Sequence, residues 1–286
     1  MPPKYNERGV FTVAIARDKF WIFGVRPHQD DIWLGKRDED RNYKRSRITP
    51  AEAALMLDVP NLLMINCDGV PAPFSEDAYG YAESFCRLNK VLWGSTGSCG
   101  FRAGNEEQFI CELAEKYPNI SGAFMDDFFG KFRGSPDAAK QAKALLKEIR
   151  EGLDKAPRRM DLYTVGYTHE YDEMEPGLME YIDGISLWTW NCEELPLLES
   201  RFEAIEKKLP KQKKLLGIYM FDVPSGMPVP LKLMEHQCEL GLRLMKEGRL
   251  DGMIFETNSV MGVGLPSEKW LREWLETAKY TEIPER

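Results

Sequence analysis

Ile120–Gly130 reads ISGAFMDDFFG. It opens as a short apolar run with a small residue at Gly122, the pattern of a strand buried on both faces. It closes on two adjacent carboxylates, Asp126 and Asp127, with Phe128 and Phe129 directly after. Ionised groups resist leaving water, so two acids at the end of a buried strand call for a use or a partner. Like charges side by side also raise one pKa, which suits general acid work. Strand alternation sends only one of the two into the space that the sheet encloses. If Gly122 and Phe124 point inward, so does Asp126. Asp127 then tilts its neighbour's pKa or binds a substrate hydroxyl. The competing use is a cap on the next helix by one Asp, with the other solvated.

Apolar runs of the same kind recur on both sides of this stretch. Upstream lie Phe20 to Arg26, Leu62 to Asn66 and Lys90 to Ser95. Downstream lie Met160 to Thr168, a run ending at Trp188 to Asn191, Leu215 to Asp222 and Asp251 to Ser259. Amphipathic segments separate them. Thr49-Pro50-Ala51-Glu52 opens a helix with Thr as N-cap and Pro at the first helical position. Further helices are expected at about Ser75 to Leu88, Asn105 to Lys116, Ser135-Pro136-Asp137 to Leu153, Leu195 to Leu209, Leu231 to Glu247, and Pro266 to Ala278 with Ser267 as cap. PGLMEYI is the weakest helix of the set. The first run, FTVAIA, is an opening strand or a cover for the barrel floor, and KRDEDRNYKRSR is a solvated loop. Eight strand–helix units predict an α/β fold, a single (β/α)8 TIM barrel spanning residues 1–286. An open doubly wound sheet would carry a Gly-rich phosphate turn after its first strand, and FGVRPHQDD has none.

Composition narrows the function. A net charge of −8 with no basic run argues against nucleic acid and anionic membrane surfaces as partners. No apolar stretch approaches the roughly 18 residues of a spanning helix. MPPKYNERGVF lacks the apolar core of a signal peptide, so the chain is cytoplasmic or exported with its leader already removed. The six cysteines, Cys67, Cys86, Cys99, Cys111, Cys192 and Cys238, form no CxxC pair and are expected to be buried, reduced thiols. His28, His169 and His236 are far apart in sequence and show no metal-ligand spacing. No cofactor and no metal are therefore expected. The oligomeric state is left open, since Trp270 and Trp274 serve equally as packing on the barrel or as a dimer contact.

In a barrel the strand ends and the loops after them build the site. The candidates are Arg26 and His28, Asn66 and Asp68, Trp93 and Ser95, Asp126 and Asp127, Tyr167 and His169, Trp188 and Trp190, Asp222, and Glu256 with Asn258. Carboxylates facing each other over an aromatic mouth are the equipment of glycoside hydrolysis: one protonates the leaving oxygen, the other attacks the sugar or activates water. Asp126 or Asp127 on the fourth strand and Glu256 on the eighth lie across the barrel and are the expected catalytic pair. Trp188, Trp190, Tyr167 and Phe128 are platforms for sugar rings, although aromatics at strand ends also serve as packing. Asn66 and Asp68 suit a turn before Gly69 equally well, as does Asp222 before Val223-Pro224.

With acids and tryptophans at its strand ends, the eight-unit layout resembles the TIM-barrel glycoside hydrolases in general. GAFMDDFF is similar to the fourth-strand segment of retaining α-glycosidase families. There an Asp at the strand end is the nucleophile, which implies that role for Asp126 or Asp127. The chain carries neither the Asn-Glu pair of the largest glycosidase clan nor the DxxDxDxE run of chitinase-like barrels. The expected activity is hydrolysis of a carbohydrate substrate. Two alternatives stand beside it. One is a carbohydrate-binding barrel without catalysis. The other is a metal-dependent sugar isomerase or hydrolase using Asp126, Asp68, Glu256 and His28.

Overall fold

Eight of the apolar runs pair side by side, all parallel, and close on themselves. The computed structural model describes residues 14–34, 43 and 45–285. The barrel strands are β1 (Phe20–Gly24), β2 (Asn61–Met64), β3 (Lys90–Thr96), β4 (Ile120–Met125), β5 (Asp161–Tyr167), β6 (Gly184–Trp188), β7 (Lys213–Ile218) and β8 (Gly252–Phe255). Each pairs with its neighbours in chain order, and β8 closes the ring on β1. The fold is therefore the (β/α)8 barrel that the sequence predicts. Strands β4 and β8 stand opposite each other in it.

Seven α-helices among the described residues surround the ring: α1 (Pro50–Leu57), α2 (Glu76–Ser84), α3 (Glu106–Lys116), α4 (Ala138–Leu153), α5 (Leu198–Lys208), α6 (Leu231–Lys246) and α7 (Pro266–Ala278). Thr49 caps α1 in a full capping box with Glu52. At α7 the expected cap is corrected. Leu265 stands at the N-cap, and Ser267 lies inside the first turn with its hydroxyl donating to the Met220 carbonyl. The weak segment between β5 and β6 forms only a 3₁₀ turn, Met179–Tyr181, because its glycine and proline oppose an α-helix.

Side chains of alternate parity fill the inside of the ring. Trp21, Leu63, Leu92, Phe124, Tyr163, Leu215 and Ile254 pack there. Glycines opposite the large ones make room. A Cβ at Gly184 would lie 2.1 Å from the Tyr163 ring, and one at Gly217 would lie 2.0 Å from Trp188. The opposite parity packs under the helices, where each buried Leu, Ile or Phe contributes on the order of 1.5–3 kcal/mol. At the start of the ring, Ala14–Ile15 pairs antiparallel with Glu282–Ile283 and joins β1 through a short turn. Phe11–Val13 of the opening run, and most of the charged stretch 36–47, lie outside the described residues.

All six cysteines are free. Cys67 and Cys238 are buried as expected, but Cys86 and Cys99 are exposed, Cys86 just past the end of α2 and Cys99 in the loop after β3. No helix among the described residues is long and apolar enough to cross a membrane.

Candidate active site

The site begins where β3 and β4 slip out of register. β4 carries an extra residue at Ser121, near its start, and β3 one at Ser95, near its exit, where the bulge re-aims the end of the strand. Thr96 then clamps the backbone of Asp126 from both sides. Its carbonyl accepts from the Asp126 N–H at 3.2 Å, and its hydroxyl donates to the Asp126 carbonyl at 2.6 Å. Phe124 faces the barrel interior, and Asp126, two residues on, follows it. Asp126 is 8 % exposed, and its carboxyl takes no hydrogen bond from a side chain, only help from the Asp127 backbone N–H. Burial pushes it well above the usual carboxylate range, and the charge of Asp127 pushes the same way.

Alternation was expected to turn one of the two aspartates away, yet both line the cavity. The reason is local. Asp127 has left the strand with a φ of 46°, in the left-handed region. This swings its carboxylate back toward the mouth. One oxygen accepts from the Tyr167 hydroxyl at 3.2 Å and the other from the Cys99 N–H at 3.1 Å.

Across the ring, Glu256 follows the last residue of β8. It is 3 % exposed. Its Oε2 accepts from the N–H groups of Met220 and Phe221 where β7 exits. Oε1 has no partner among the described residues. Burial raises this carboxyl well above its ordinary value; the two amides pull it down, and Asp30 and Asp222 push it up. Asp30 also lines the cavity, with its carboxylate accepting from the hydroxyls of Thr257 and Ser259. Its pKa too is raised by burial.

These groups bound a cavity of about 200 Å³ with aromatic walls. Trp188 forms part of the floor: its ring lies 4.9 Å from Tyr219 and 5.6 Å from Phe23, and its Nε1 donates to Ser186 at 3.0 Å. Trp190, 39 % exposed, stands at the rim at right angles to Tyr167 and Tyr219. A side chamber of about 240 Å³ shares Asp127, Val165 and Tyr167 with the first cavity and is bounded outside by Arg133 and Glu170, which form an ion pair.

Of the fifteen residues expected at the site, the fold brings six to the cavity: Asp126, Asp127, Glu256, Tyr167, Trp188 and Trp190. Nine lie elsewhere. Ser95 is buried at the bulge of β3. His169 stacks on Tyr167 outside the cavity, with its Nε2 3.6 Å from Glu170. Trp93 has the outward parity and packs against Phe85 and Phe109 beneath the helices. Asn66 is buried in the strand layer, its side-chain oxygen over Gly94. Asp68 is exposed in a left-handed turn and accepts from Gln29. Arg26 donates to Gln29, and His28 pairs with Asp31 at 3.0 Å. Asp222 is a turn former whose two oxygens accept from the N–H groups of Cys192 and Ser225. Asn258, wholly buried, accepts from Val25 and donates to Ile48, tying the exits of β8 and β1 together. Phe128 is also core, packed on Phe129 and Phe132. With His28 and Asp68 turned away, the four residues of the metal-dependent alternative do not converge. Among the described residues no group of three His, Cys, Asp or Glu side chains is arranged to hold a metal ion.

Asp30, Trp33, Phe23 and Tyr219 line the cavity without having been expected there. Tyr219 was legible: it continues the inward parity of Leu215 and Gly217. Asp30 was not, because only the closure of β8 onto β1 brings its loop over the mouth.

No family model matches the chain, and no curated protein does. Solved structures do match it in fold. A GH51 arabinofuranosidase from Xanthomonas axonopodis pv. citri superposes with a TM-score of 0.54 at 13 % identity, covering 85 % of this chain and 67 % of its own. A GH99 endo-alpha-mannosidase from Bacteroides thetaiotaomicron gives 0.53 at 8 % identity, covering 93 % and 97 %. A probable 2-pyrone-4,6-dicarboxylic acid hydrolase from Acinetobacter baumannii gives 0.51 at 9 %, covering 91 % and 92 %. The chain is thus similar in fold to TIM-barrel glycoside hydrolases and to a barrel hydrolase of another kind.

Proposed function

We propose that the protein is a glycoside hydrolase whose site is the carboxylate-lined cavity at the mouth of the barrel. The observation that carries this reading is the placement of Asp126 and Asp127 on one wall and Glu256 on the opposite one, with aromatic faces between them. The acid protonates the leaving oxygen and the nucleophile or base works at the anomeric carbon, so the two must flank the scissile bond, and β4 and β8 supply the two sides. Glu256 holds its proton through burial and turns an unpartnered oxygen to the cavity, so it serves as the general acid. Asp127, fixed by two donors, serves as nucleophile or as the base that activates water. Asp126 is beside it, protonated by burial, and donates to a sugar hydroxyl. Trp188, Trp190 and Tyr219 stack on the apolar faces of the ring, and the side chamber beyond Tyr167 receives the leaving group.

The test is hydrolysis of a panel of aryl glycosides by the wild type and by Asp126→Asn, Asp127→Asn and Glu256→Gln. Full activity in all three variants overturns the proposal. Sugar binding without turnover in the wild type favours the carbohydrate-binding barrel instead.

A further inference from the structure

Four carboxylates line the cavity: Asp30, Asp126, Asp127 and Glu256. Among the described residues lining it there is no lysine, arginine or histidine. Among the described residues, positive groups on the surrounding loops are engaged elsewhere. Arg133 and His169 both lean on Glu170, and Arg26 holds Gln29. Two of the acids present unpartnered oxygens. Asp126 is more than nine-tenths buried with no side-chain donor on it, and Glu256 leaves Oε1 free. A sugar bearing a carboxylate, sulfate or phosphate would bring negative charge against acids that burial already keeps from ionising. A neutral sugar would leave them without a countercharge.

The aromatic walls point the same way. Trp190 meets Tyr167 at 82° with 5.8 Å between ring centres, and meets Tyr219 at 82° with 6.1 Å. Trp188 lies 4.9 Å from Tyr219. Rings set at right angles around a pocket form the corner of a box whose faces attract a cation through their quadrupoles. We infer that this cavity takes a sugar carrying a free, positively charged amine. Resting on the glycosidase reading above, this narrows the substrate to glycosides of amino sugars. Burial keeps Asp126 and Glu256 from ionising for want of a countercharge, and an ammonium group supplies one.

Isothermal titration of the full chain tests this with glucosamine, galactosamine and mannosamine. Their N-acetyl forms and parent hexoses are the comparison, at a pH where the amines are protonated. At least one amine is expected to bind roughly tenfold more tightly than both its counterparts. Asp30→Asn and Trp190→Ala are each expected to shrink that preference. Equal or tighter binding of the acetylated or parent sugars overturns the inference, and so does binding of none. Aryl glycosides of the same sugars separate this inference from the reading beneath it. Turnover of neutral glycosides with the amino ones ignored overturns the amine preference and leaves hydrolysis standing. Amine binding with no turnover of any glycoside supports the cation site and removes hydrolysis.

Discussion

Glu256 is the most informative residue to change, because two substitutions there separate chemistry from stability. Its Oε2 accepts from two buried amides, Met220 and Phe221, while Oε1 faces the cavity. Gln keeps an acceptor for both N–H groups and turns its NH₂ to the cavity. Glu256→Gln should therefore shift stability by no more than about 1 kcal/mol, since the amide network survives. It cannot give up a proton, so turnover should fall by roughly 10²–10⁴, the usual worth of a positioned general acid. Glu256→Leu removes the acceptor altogether. Each orphaned buried N–H costs about 1–3 kcal/mol, so the pair should cost roughly 2–6 kcal/mol. Initial rates on the best aryl glycoside measure the first effect. Urea unfolding at unchanged m measures the second, as a lowered midpoint. Wild-type turnover by Glu256→Gln would refute the catalytic role. A Glu256→Leu variant that unfolds at the wild-type urea concentration would refute the structural argument.

Burial raises the pKa of Asp126, so the folded state holds that proton more tightly than the unfolded chain does. The stability it contributes is complete below the ordinary carboxylate value and is lost as pH rises through the raised one. Asp126→Asn should therefore gain melting temperature relative to wild type as pH climbs from about 4 to about 8; a difference that stays flat with pH contradicts the burial argument. With Glu256 as the acid, the rate should fall on the alkaline side as its raised pKa is passed, and Glu256→Gln should lack that limb. Gly217→Ala places a methyl 2.0 Å from the Trp188 ring, at an overpacking cost of about 1–3 kcal/mol, and should shift tryptophan emission and abolish sugar binding together. Asn258→Ala should lower stability by about 1–3 kcal/mol while KM stays unchanged, because its bonds to Val25 and Ile48 are structural. A changed KM with unchanged stability would place Asn258 in the site after all.

Hydrophobic patterning by itself determined the barrel. Each strand is a short local run, and the alternation of strand and helix depends only on neighbours along the chain, so Phe20 to Phe255 could be divided into units without knowing any contact. The rule that strand ends build the site then placed Asp126, Glu256, Tyr167, Trp188 and Trp190 at the mouth. What patterning could not decide was the direction of a side chain once the strand had ended. Nor could it fix the parity within a strand, which a bulge or a shifted start reverses: Trp93, inside β3, points into the layer beneath the helices. Asp127 reaches the cavity only because its own backbone turns left-handed just past β4. Asp222 and Asn258 look like ligands in sequence and act as ties in space, since each satisfies an N–H group from a distant loop, 30 and 233 residues away. Asp30 joins the site because β8 closes on β1. Backbone pattern is written locally. The partners of a buried polar side chain are chosen by tertiary closure, because burial makes each such group bond to whatever the fold brings within reach.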